Sequence, residues 1–287
     1  MRRYWGQQKP PLGVLANKGH LLSDGLVGCW LMNEGSGNIV QDLSGNGMNG
    51  TKTGSPVWDA GKYGPVVNCA AESAGFNCGN NSILDFTTEN FTVVMELTAS
   101  ASQTAWGSIL NRGLYQKEGW YISTGAGTDE FRFVTNADAT NDDETVVGNY
   151  LEAGVSHIYT VVREGTQGRM YRDGVEASAY EKQEAIATMD SSADDLFIGR
   201  YTVDGIYDFD GKIGFVYIYN RALSASEIQQ LYREPFCMFI DDMPVAMMYS
   251  YGAAPAPTSQ VILIQMSVVP VVFFAGSLFY LNRKKAA

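Results

Sequence analysis

The sequence predicts an all-β protein built from two packed antiparallel sheets, and three observations support this fold class. Short runs of β-branched and aromatic residues recur along the chain, separated by turns rich in glycine, asparagine and aspartate. One run, IGFVYIY at residues 213–219, is apolar on both faces, as in a strand in the middle of a two-layer sandwich. No long pattern with the helical period of about 3.6 residues occurs before residue 224.

Residues 1–24 are predicted to form an extended arm, because Trp5 and two adjacent prolines suit a segment that packs on a partner or on the main domain. No apolar core of signal-peptide length follows Arg2 and Arg3, so we predict no secretory signal peptide. The first strand is expected at residues 26–32, LVGCWLM.

A glycine-rich segment, NEGSGNIVQDLSGNGMNGT, follows at residues 33–51. Gly45 and Gly47 permit positive φ, and the Asp42 side chain can accept hydrogen bonds from its own backbone. One interpretation is that Glu34, Asp42 and nearby carbonyls hold calcium. The alternative is a hydrogen-bonded turn without metal, since calcium needs about six to eight oxygen ligands and few are evident here.

The middle of the chain contains a series of strand-like runs. They are expected at residues 65–69, 76–78, 91–97, 108–111, 119–123, 130–134, 156–163 and 168–172. Asp173-Gly174 is the strongest hairpin signal, and the acidic cluster at 142–144 is interpreted as a solvated turn. A brief strand at 196–199, a turn-rich loop at 201–210 and the 213–219 strand precede a capping box, Ser224 with Glu227, which predicts a short helix.

Three of these segments together resemble a known family. They are NEGSG followed by DLSGNGMNG, the central HIYTVVREGTQGRMYRDGVEA, and the closing YNRALSASEIQQLY. In this respect residues 25–232 resemble laminin-G-like, concanavalin-A-like jelly-roll domains. The resemblance implies a two-sheet antiparallel sandwich whose rim loops or concave face often bind carbohydrate, although the fold carries lectins, adhesion modules and glycan hydrolases alike. The opening RRYWGQQKPPLG is similar to the starts of some phage-encoded proteins with this domain.

The resemblance also bears on calcium. The family's last long strand commonly has two adjacent acids, one of them similar to a metal-binding aspartate of related glucanases. Here Gly214 and Phe215 stand at those positions. Only Glu34, Asp42 and Asp210 remain as candidate ligands, so any calcium is expected to be structural and weakly held.

The composition changes after Tyr232. We divide the chain after the arm into a domain at 25–239, a linker at 240–260, an apolar segment at 261–281 and a basic tail at 282–287. The apolar segment is uncharged and precedes Arg283-Lys284-Lys285, so it predicts a transmembrane helix. Alternatives are a strand or helix buried in an oligomer, or a segment packed on the sandwich. We expect a membrane-associated protein, or one at a virion or cell surface. The positive-inside rule places the sandwich outside, whereas a tail anchor or a viral assembly route would not need an export signal.

The four cysteines allow three disulfide connectivities or four free, buried thiols. Cys69 and Cys78 could pair across a hairpin, and Cys29 could meet Cys237 where the chain ends approach. Without an export signal we expect free thiols.

Charge and motifs exclude several function classes. The net charge of −11 and the lack of a basic stripe argue against nucleic-acid binding. The Glu-x-Asp-x-x-Glu spacing of retaining glucanases is missing, as are a Gly-x-Ser-x-Gly elbow, zinc-spaced cysteines and a phosphate loop. His157, in the strand-like HIYTVV, is interpreted as an ordinary packed or surface histidine. We therefore predict a non-catalytic protein.

Two functions remain open. In a carbohydrate-binding or adhesion module for a glycan or glycoprotein surface, aromatic rings stack on sugars while amides, acids and arginines bind the hydroxyls. Candidate residues on loops and strand ends are Trp106, Asn111, Arg112, Trp120, Arg200, Tyr201, Asp204 and Tyr207, although the tryptophans could instead fill the core. In a virion or surface-layer assembly protein, the arm and the apolar C-terminus would mediate self-association. A degenerate, hydrolase-like domain is a further alternative.

Overall fold

A computed structural model of the chain describes residues 3–70, 74–101, 103–127, 129–136, 142–201 and 207–241. The strands in these ranges are β1 (Arg3–Tyr4), β2 (Leu26–Trp30), β3 (Ile39–Val40), β4 (Gly50–Thr53), β5 (Val57–Gly61), β6 (Gly64–Asn68), β7 (Gly75–Asn77), β8 (Phe91–Ala99), β9 (Ser108–Leu114), β10 (Glu118–Thr124), β11 (Phe131–Asn136), β12 (Asp142–Val147), β13 (Ser156–Glu164), β14 (Gln167–Arg172), β15 (Val175–Glu176), β16 (Lys182–Gln183), β17 (Phe197–Ile198), β18 (Gly211–Tyr219) and β19 (Ile240–Asp241). The helices are α1 (Ala225–Arg233) and two 3-10 turns, Leu21–Ser23 and Ser82–Leu84.

The strands form two large antiparallel sheets. One has nine strands in the order β16-β12-β11-β10-β9-β17-β7-β4-β3. The other has eight, in the order β15-β14-β13-β8-β18-β6-β5, with β2 also paired to β18. A separate two-stranded ladder joins β1 to β19, the first and last strands of the compact unit Arg2–Asp241. This architecture confirms the predicted all-β two-sheet sandwich.

The main core lies between the two large sheets. Trp30, Phe91 and Trp120 are among its fully buried side chains. The ring of Phe91 stacks on Phe86 with a centroid separation of 4.5 Å and meets Trp120 at 5.2 Å. Large aromatic side chains dominate the energetics of such cores. Of the two interpretations of Trp120, ligand binding or core filling, the structure shows core filling.

A second apolar cluster covers the outer face of the eight-stranded sheet. Phe215, Tyr217 and Tyr219 of β18 point into it. Residues of the N-terminal arm, of α1 and of the segment that follows α1 pack over them; these are Trp5, Val14, Leu22, Ile228, Leu231, Phe236 and Phe239. Strand β18 is therefore buried on both faces, which explains its unbroken apolar sequence. Of the two expected positions for the arm, the structure shows packing on the chain's own domain.

Local turn and capping predictions are confirmed. Asp173 and Gly174 both have positive φ, 53° and 80°, and connect β14 to β15 in a two-residue hairpin. The Ser224 side chain accepts the Glu227 N–H, and the Glu227 carboxylate accepts the Ser224 N–H, so the capping box is complete. The four cysteines are free and buried in the structure.

The interpretation of residues 142–144 as a solvated turn is wrong. These residues begin strand β12, which pairs along its whole length with β11. Asp142, Asp143 and Glu144 have little intrinsic preference for strands, but Val146 and Val147 of the same strand are buried and Glu144 meets a buried arginine. Tertiary contacts therefore override the local preference.

The predicted linker from residue 242 onward, the apolar segment 261–281 and the basic tail lie outside the described residues. Among the residues that the structure does describe, no helix has the length and hydropathy needed to cross a bilayer.

Candidate functional site

The outer face of the nine-stranded sheet carries a row of polar side chains on three neighbouring strands. Ser123 of β10 lies opposite Ser108 of β9 on one side and Arg132 of β11 on the other. Directly paired residues of adjacent strands point to the same face of a sheet, so these three side chains project together.

A second row runs beside the first on the same face. Tyr121 of β10 pairs with Asn111 of β9 and with Val134 of β11, and Val134 pairs with Glu144 of β12. Side chains two residues apart along a strand share a face, so Tyr121 and Ser123 project together. The two rows give this part of the face a polar floor with one tyrosine ring.

Side chains from both rows form the floor of a pocket of about 400 Å³, with aromatic side chains on its rim. The volume falls within the range of small-molecule sites, roughly 300–1000 Å³. The pocket is lined by Trp106, Ser108, Tyr115, Tyr121, Ser123, Arg132, Glu144, Tyr201 and Tyr207.

Trp106 stands at the edge of the pocket in an unusual backbone conformation. Its φ is 66°, in the left-handed region that bulky residues seldom adopt, and its side chain remains 42% exposed. Its N–H donates to the Gly125 carbonyl at 3.0 Å. The next residue, Gly107, has no room for a side chain, because a Cβ there would lie 2.8 Å from the Asp208 carbonyl oxygen. The loop is thus tightly held while it presents a large ring to solvent, and strain of this kind concentrates at functional sites.

Arg132 lies beneath this ring. Its guanidinium carbon is 4.4 Å from the centroid of the Trp106 ring, a cation–π distance. Its Nη2 also pairs with Oε1 of Glu144. Glu144 accepts a second cation, Lys182 of β16, at 3.2 Å. Arg132 is only 5% exposed, so its charge is covered by the ring above and neutralised by the carboxylate beside it.

Tyrosine rings form the rest of the rim. Tyr201 and Tyr207 meet edge to face with centroids 6.1 Å apart. The Tyr201 hydroxyl accepts the backbone N–H of Tyr115 at 3.1 Å, which ties two loops together. Tyr115 and Tyr207 are exposed, whereas burial raises the pKa of Tyr121, which therefore stays protonated as a neutral donor.

The floor contains polar atoms that have no hydrogen-bond partner among the described residues. They are Ser108 Oγ and Ser123 Oγ, both in residues that are 1% exposed. Asn111 lies in the adjacent row outside the pocket lining, and its side-chain Oδ1 and Nδ2 also lack a partner among the described residues. A buried polar group left unpaired costs about 1–3 kcal/mol, so such groups normally bind water or a ligand. A ligand hydroxyl that reaches the pocket floor could supply the missing partners of the two serines, since each serine hydroxyl donates one hydrogen bond and accepts others.

Three predicted ligand-binding residues meet at this pocket, namely Trp106, Tyr201 and Tyr207. Asn111 lies on the same face of the sheet. Arg200 is adjacent to the rim, where its Nε donates to the Tyr201 carbonyl at 3.1 Å. Asp204 lies outside the described residues.

The structure does not bring the other two predicted residues, Arg112 and Trp120, to this pocket. Both lie on the core side of the sheet and are almost fully buried. Arg112 Nη2 pairs with Asp85 at 2.7 Å, and Trp120 Nε1 donates to the Leu84 carbonyl at 3.1 Å. A ligand-binding role for the predicted set stays a prediction.

The sequence interpretation missed six residues that line the pocket, namely Ser108, Tyr115, Tyr121, Ser123, Arg132 and Glu144. A period-2 signal could have found three of them: Arg132 alternates with two buried phenylalanines in FRF, and in WYIS the residues Tyr121 and Ser123 alternate with buried core residues. Glu144 was not predicted, because residues 142–144 were interpreted as a solvated turn.

The three predicted calcium ligands have different environments. Asp42 accepts four hydrogen bonds, Oδ1 from the N–H groups of Cys29 and Ser44 and Oδ2 from the Ser44 hydroxyl and the Met48 N–H, at 2.9–3.1 Å. Glu34 Oε1 accepts the Gln41 N–H at 2.8 Å, and burial raises the pKa of Glu34. The Asp210 carbonyl accepts the Ser100 N–H at 2.9 Å. In the described part of the chain, no three His, Cys, Asp or Glu side chains group as a metal site would require.

Fold and pocket together define a lectin-like β-sandwich with an aromatic-rimmed, polar-floored site on one open sheet face. The chain belongs to the concanavalin A-like lectin/glucanase superfamily, whose laminin-G family model matches residues 72–229, more than half of the sequence. No protein of curated function matches the sequence.

Solved structures share the fold at low sequence identity. The binding domain of Paraclostridial Mosquitocidal Protein 1 superposes with a TM-score of 0.60 and 15% identity, over 74% of this chain and 52% of that one. Trypanosoma rangeli sialidase in complex with sialic acid gives 0.54 and 18%, over 75% and 33%. The binding domain of botulinum neurotoxin serotype G gives 0.54 and 14%, over 72% and 50%. This chain therefore spans a third to about half of these solved chains.

Proposed function

We propose that the protein is a non-catalytic carbohydrate-binding or adhesion module that binds glycans in the pocket beside Trp106. The observation that carries this proposal is the combination of an exposed tryptophan ring with buried, unpartnered hydroxyls at Ser108 and Ser123. Membership of a lectin and glucanase superfamily, and the likeness to toxin binding domains, support it at the level of fold.

The aromatic rim and the polar floor of the pocket complement the apolar face and the hydroxyl groups of a sugar. The C–H face of a pyranose is apolar and slightly positive, and it packs against the electron-rich face of an aromatic ring. The hydroxyls around the edge of the pyranose each donate one hydrogen bond and accept others, as the serine hydroxyls of the floor do. Trp106 would therefore supply contact area, while Ser108 and Ser123 would fix the orientation of the ring.

The carboxylates support the non-catalytic part of the proposal. Retaining glycosidases hold two carboxyl groups about 5–5.5 Å apart across the scissile bond. Among the described residues that line this pocket, Glu144 supplies the one carboxylate, and it is engaged by Arg132 and Lys182. The described lining therefore lacks the second carboxyl group that this mechanism requires.

The proposal is tested by comparing the glycan affinity of the Trp106→Ala variant with that of the wild-type protein. On a glycan array, followed by calorimetry with the best ligand, we expect this variant to lose at least about tenfold in affinity, or ~1.4 kcal/mol. Because Trp106 is exposed, we expect its melting temperature to change little. Val57→Ala, an exposed apolar residue on β5 of the other sheet, is the matched control and should bind like wild type. Failure of the wild-type protein to bind any glycan, or equal binding by both variants, contradicts the proposal.

A further inference from the structure

Among the described residues that line the pocket, the charges cancel one another. Arg132 and Glu144 are the charged residues among its described lining, and they form an ion pair. Lys182 bridges Glu144 at 3.2 Å and Glu184 at 3.0 Å, so two cations face two carboxylates. The Glu144 N–H also donates to Glu184 Oε2 at 2.9 Å, which closes the network on itself.

The arginine is poorly placed to meet an anionic ligand. Its guanidinium is covered on one face by Trp106 and held at Nη2 by Glu144, and the residue is only 5% exposed. A sugar carboxylate or sulfate placed here would need to lose its hydration and would lie near the Glu144 carboxylate, with Arg132 as the one cation among the described lining residues. Bringing an uncompensated charge into such a site is costly, and like-charge contacts are a means of rejecting unwanted ligands.

Among the described residues that line the pocket, the groups that remain available are neutral. They are the hydroxyls of Ser108 and Ser123, the hydroxyl of Tyr121, whose pKa burial raises, and the outward face of Trp106. The whole chain carries a net charge of −11, which repels anionic ligands over longer distances at low salt.

From this arrangement we infer that the pocket selects uncharged pyranose units and rejects their carboxylated or sulfated counterparts, with the Arg132–Glu144 pair as the specificity device. The inference rests on the proposed function, since it names the ligand class of the same pocket. Glu144 has two effects: it neutralises the one buried cation of the floor, and it places a negative charge beside the ligand.

The first test uses the full-length wild-type protein and an array that pairs neutral glycans with sialylated, uronic-acid and sulfated counterparts. We expect neutral members to bind at least about tenfold more tightly than acidic partners. Their affinity should change little between about 50 and 300 mM NaCl, because no net charge is exchanged on binding. The wild-type ratio decides the inference without any variant.

The second test removes the carboxylate charge with Glu144→Gln. The amide oxygen can still accept from Arg132, so the arginine keeps a partner while its charge is no longer neutralised. We expect acidic glycans to gain at least about fivefold in affinity, with the gain lost at high salt. Glu164→Gln makes the same charge change at the β13–β14 hairpin of the other sheet and should leave the ratio unchanged.

The outcomes separate the two claims. Binding of neutral and acidic partners with equal affinity, or preference for the acidic members, overturns the inference and leaves the proposed function standing. Wild-type protein that binds neither class overturns both. A folded Glu144→Gln variant with an unchanged ratio shows that the ion pair is not the specificity device.

Discussion

Lys9 is a charged residue of the N-terminal arm whose side chain lies almost fully buried against the eight-stranded sheet. Its ammonium donates to the Pro65 carbonyl and, at 2.7 Å, to the Gly214 carbonyl. Glu96 of β8 is also buried there and accepts the Ser156 hydroxyl at 2.7 Å. Gly214 makes room for this carboxylate, since a Cβ at that position would lie 1.7 Å from Glu96 Oε2. Members of the family resembled here commonly have an acid at the position of Gly214. In this protein the space above Gly214 is filled by Glu96 of the neighbouring strand β8.

The buried Lys9 gives a prediction for alkaline pH. Burial lowers the pKa of Lys9 from 10.5 to about 8, and the charges of Glu96 and Glu34 oppose part of that shift. Between these two values the unfolded chain holds a proton that the native protein has released, so this residue's contribution to the free energy of unfolding rises with pH. Below pH 8 both states hold the proton and the contribution is constant.

We therefore expect the difference in unfolding free energy between wild type and Lys9→Met to move in favour of wild type from pH 8 to 10.5, by on the order of 3 kcal/mol. Urea unfolding at several pH values measures it. Buried tyrosines with raised pKa values destabilise both proteins at high pH, and their effect cancels in the difference. A pH-independent difference would contradict the assignment.

At single residues, the sequence predicted part of the pocket and not the rest. Trp106, Tyr201 and Tyr207 were predicted because aromatic rings on loops and strand ends can stack on sugars. Arg112 and Asn111 are neighbours in sequence but point to opposite faces, and strand parity alone could not decide which faces outward. The register of β9 against β10 shifts between Ser108 and Leu110, which places Ser108 and Asn111 on one face although they are three residues apart.

At the scale of elements, the sequence predicted those that depend on adjacent residues better than those that depend on tertiary contacts. The Asp173-Gly174 hairpin and the Ser224 capping box depend on a few adjacent residues, and both are confirmed. Strand β12 depends on pairing with its neighbours β11 and β16. The sequence did not predict this strand, because its first residues are acidic and have little preference for strands. The segment from Val40 to Gly50 depends on both. Its turn geometry is set by adjacent residues, whereas a bound cation would need ligands from other parts of the chain.

The Asp42 turn limits how strongly calcium can bind. We propose that any calcium held by Glu34, Asp42 or Asp210 is weakly bound, because the Asp42 oxygens already accept four hydrogen bonds and a carboxylate has about four acceptor sites. We expect the melting temperature to rise by less than about 2 °C from EDTA to millimolar calcium. Asp42→Ala should lower the melting temperature in both buffers and reduce that increment further. Differential scanning calorimetry would refute this if a large calcium-dependent rise survived the substitution.

For the whole molecule, the asymmetry between the two sheets accounts for the position of the site. The eight-stranded sheet has its outer face covered by the arm, by α1 and by the residues after α1. On the nine-stranded sheet, the outer face carries the polar rows and the pocket. The sequence indicated the covered sheet, because residues 213–219 are apolar on both faces. It did not indicate the polar rows and the pocket, because these depend on which strands lie side by side, and strand order is not encoded in any one strand.

Two adjacent leucines of the arm test whether it completes this protein's own fold or joins subunits. Leu22 is 0% exposed in the outer cluster, and its carbonyl accepts the Tyr219 hydroxyl at 3.0 Å, whereas Leu21 is 67% exposed. If the arm completes the fold, Leu22→Ala should cost about 2–5 kcal/mol in urea unfolding, because it leaves a cavity beneath the arm. Leu21→Ala should stay within about 0.5 kcal/mol of wild type.

Size-exclusion chromatography of the same two variants separates the alternatives. An arm whose main role is subunit contact would use its exposed side chain, so Leu21→Ala would change the oligomeric state while Leu22→Ala would be tolerated. We expect the reverse, with an unchanged elution volume for Leu21→Ala and a destabilised protein for Leu22→Ala. The physical reason is that β18 has no polar face to offer solvent: Phe215, Tyr217 and Tyr219 need a cover from within the chain, and the arm with Leu22 supplies part of it.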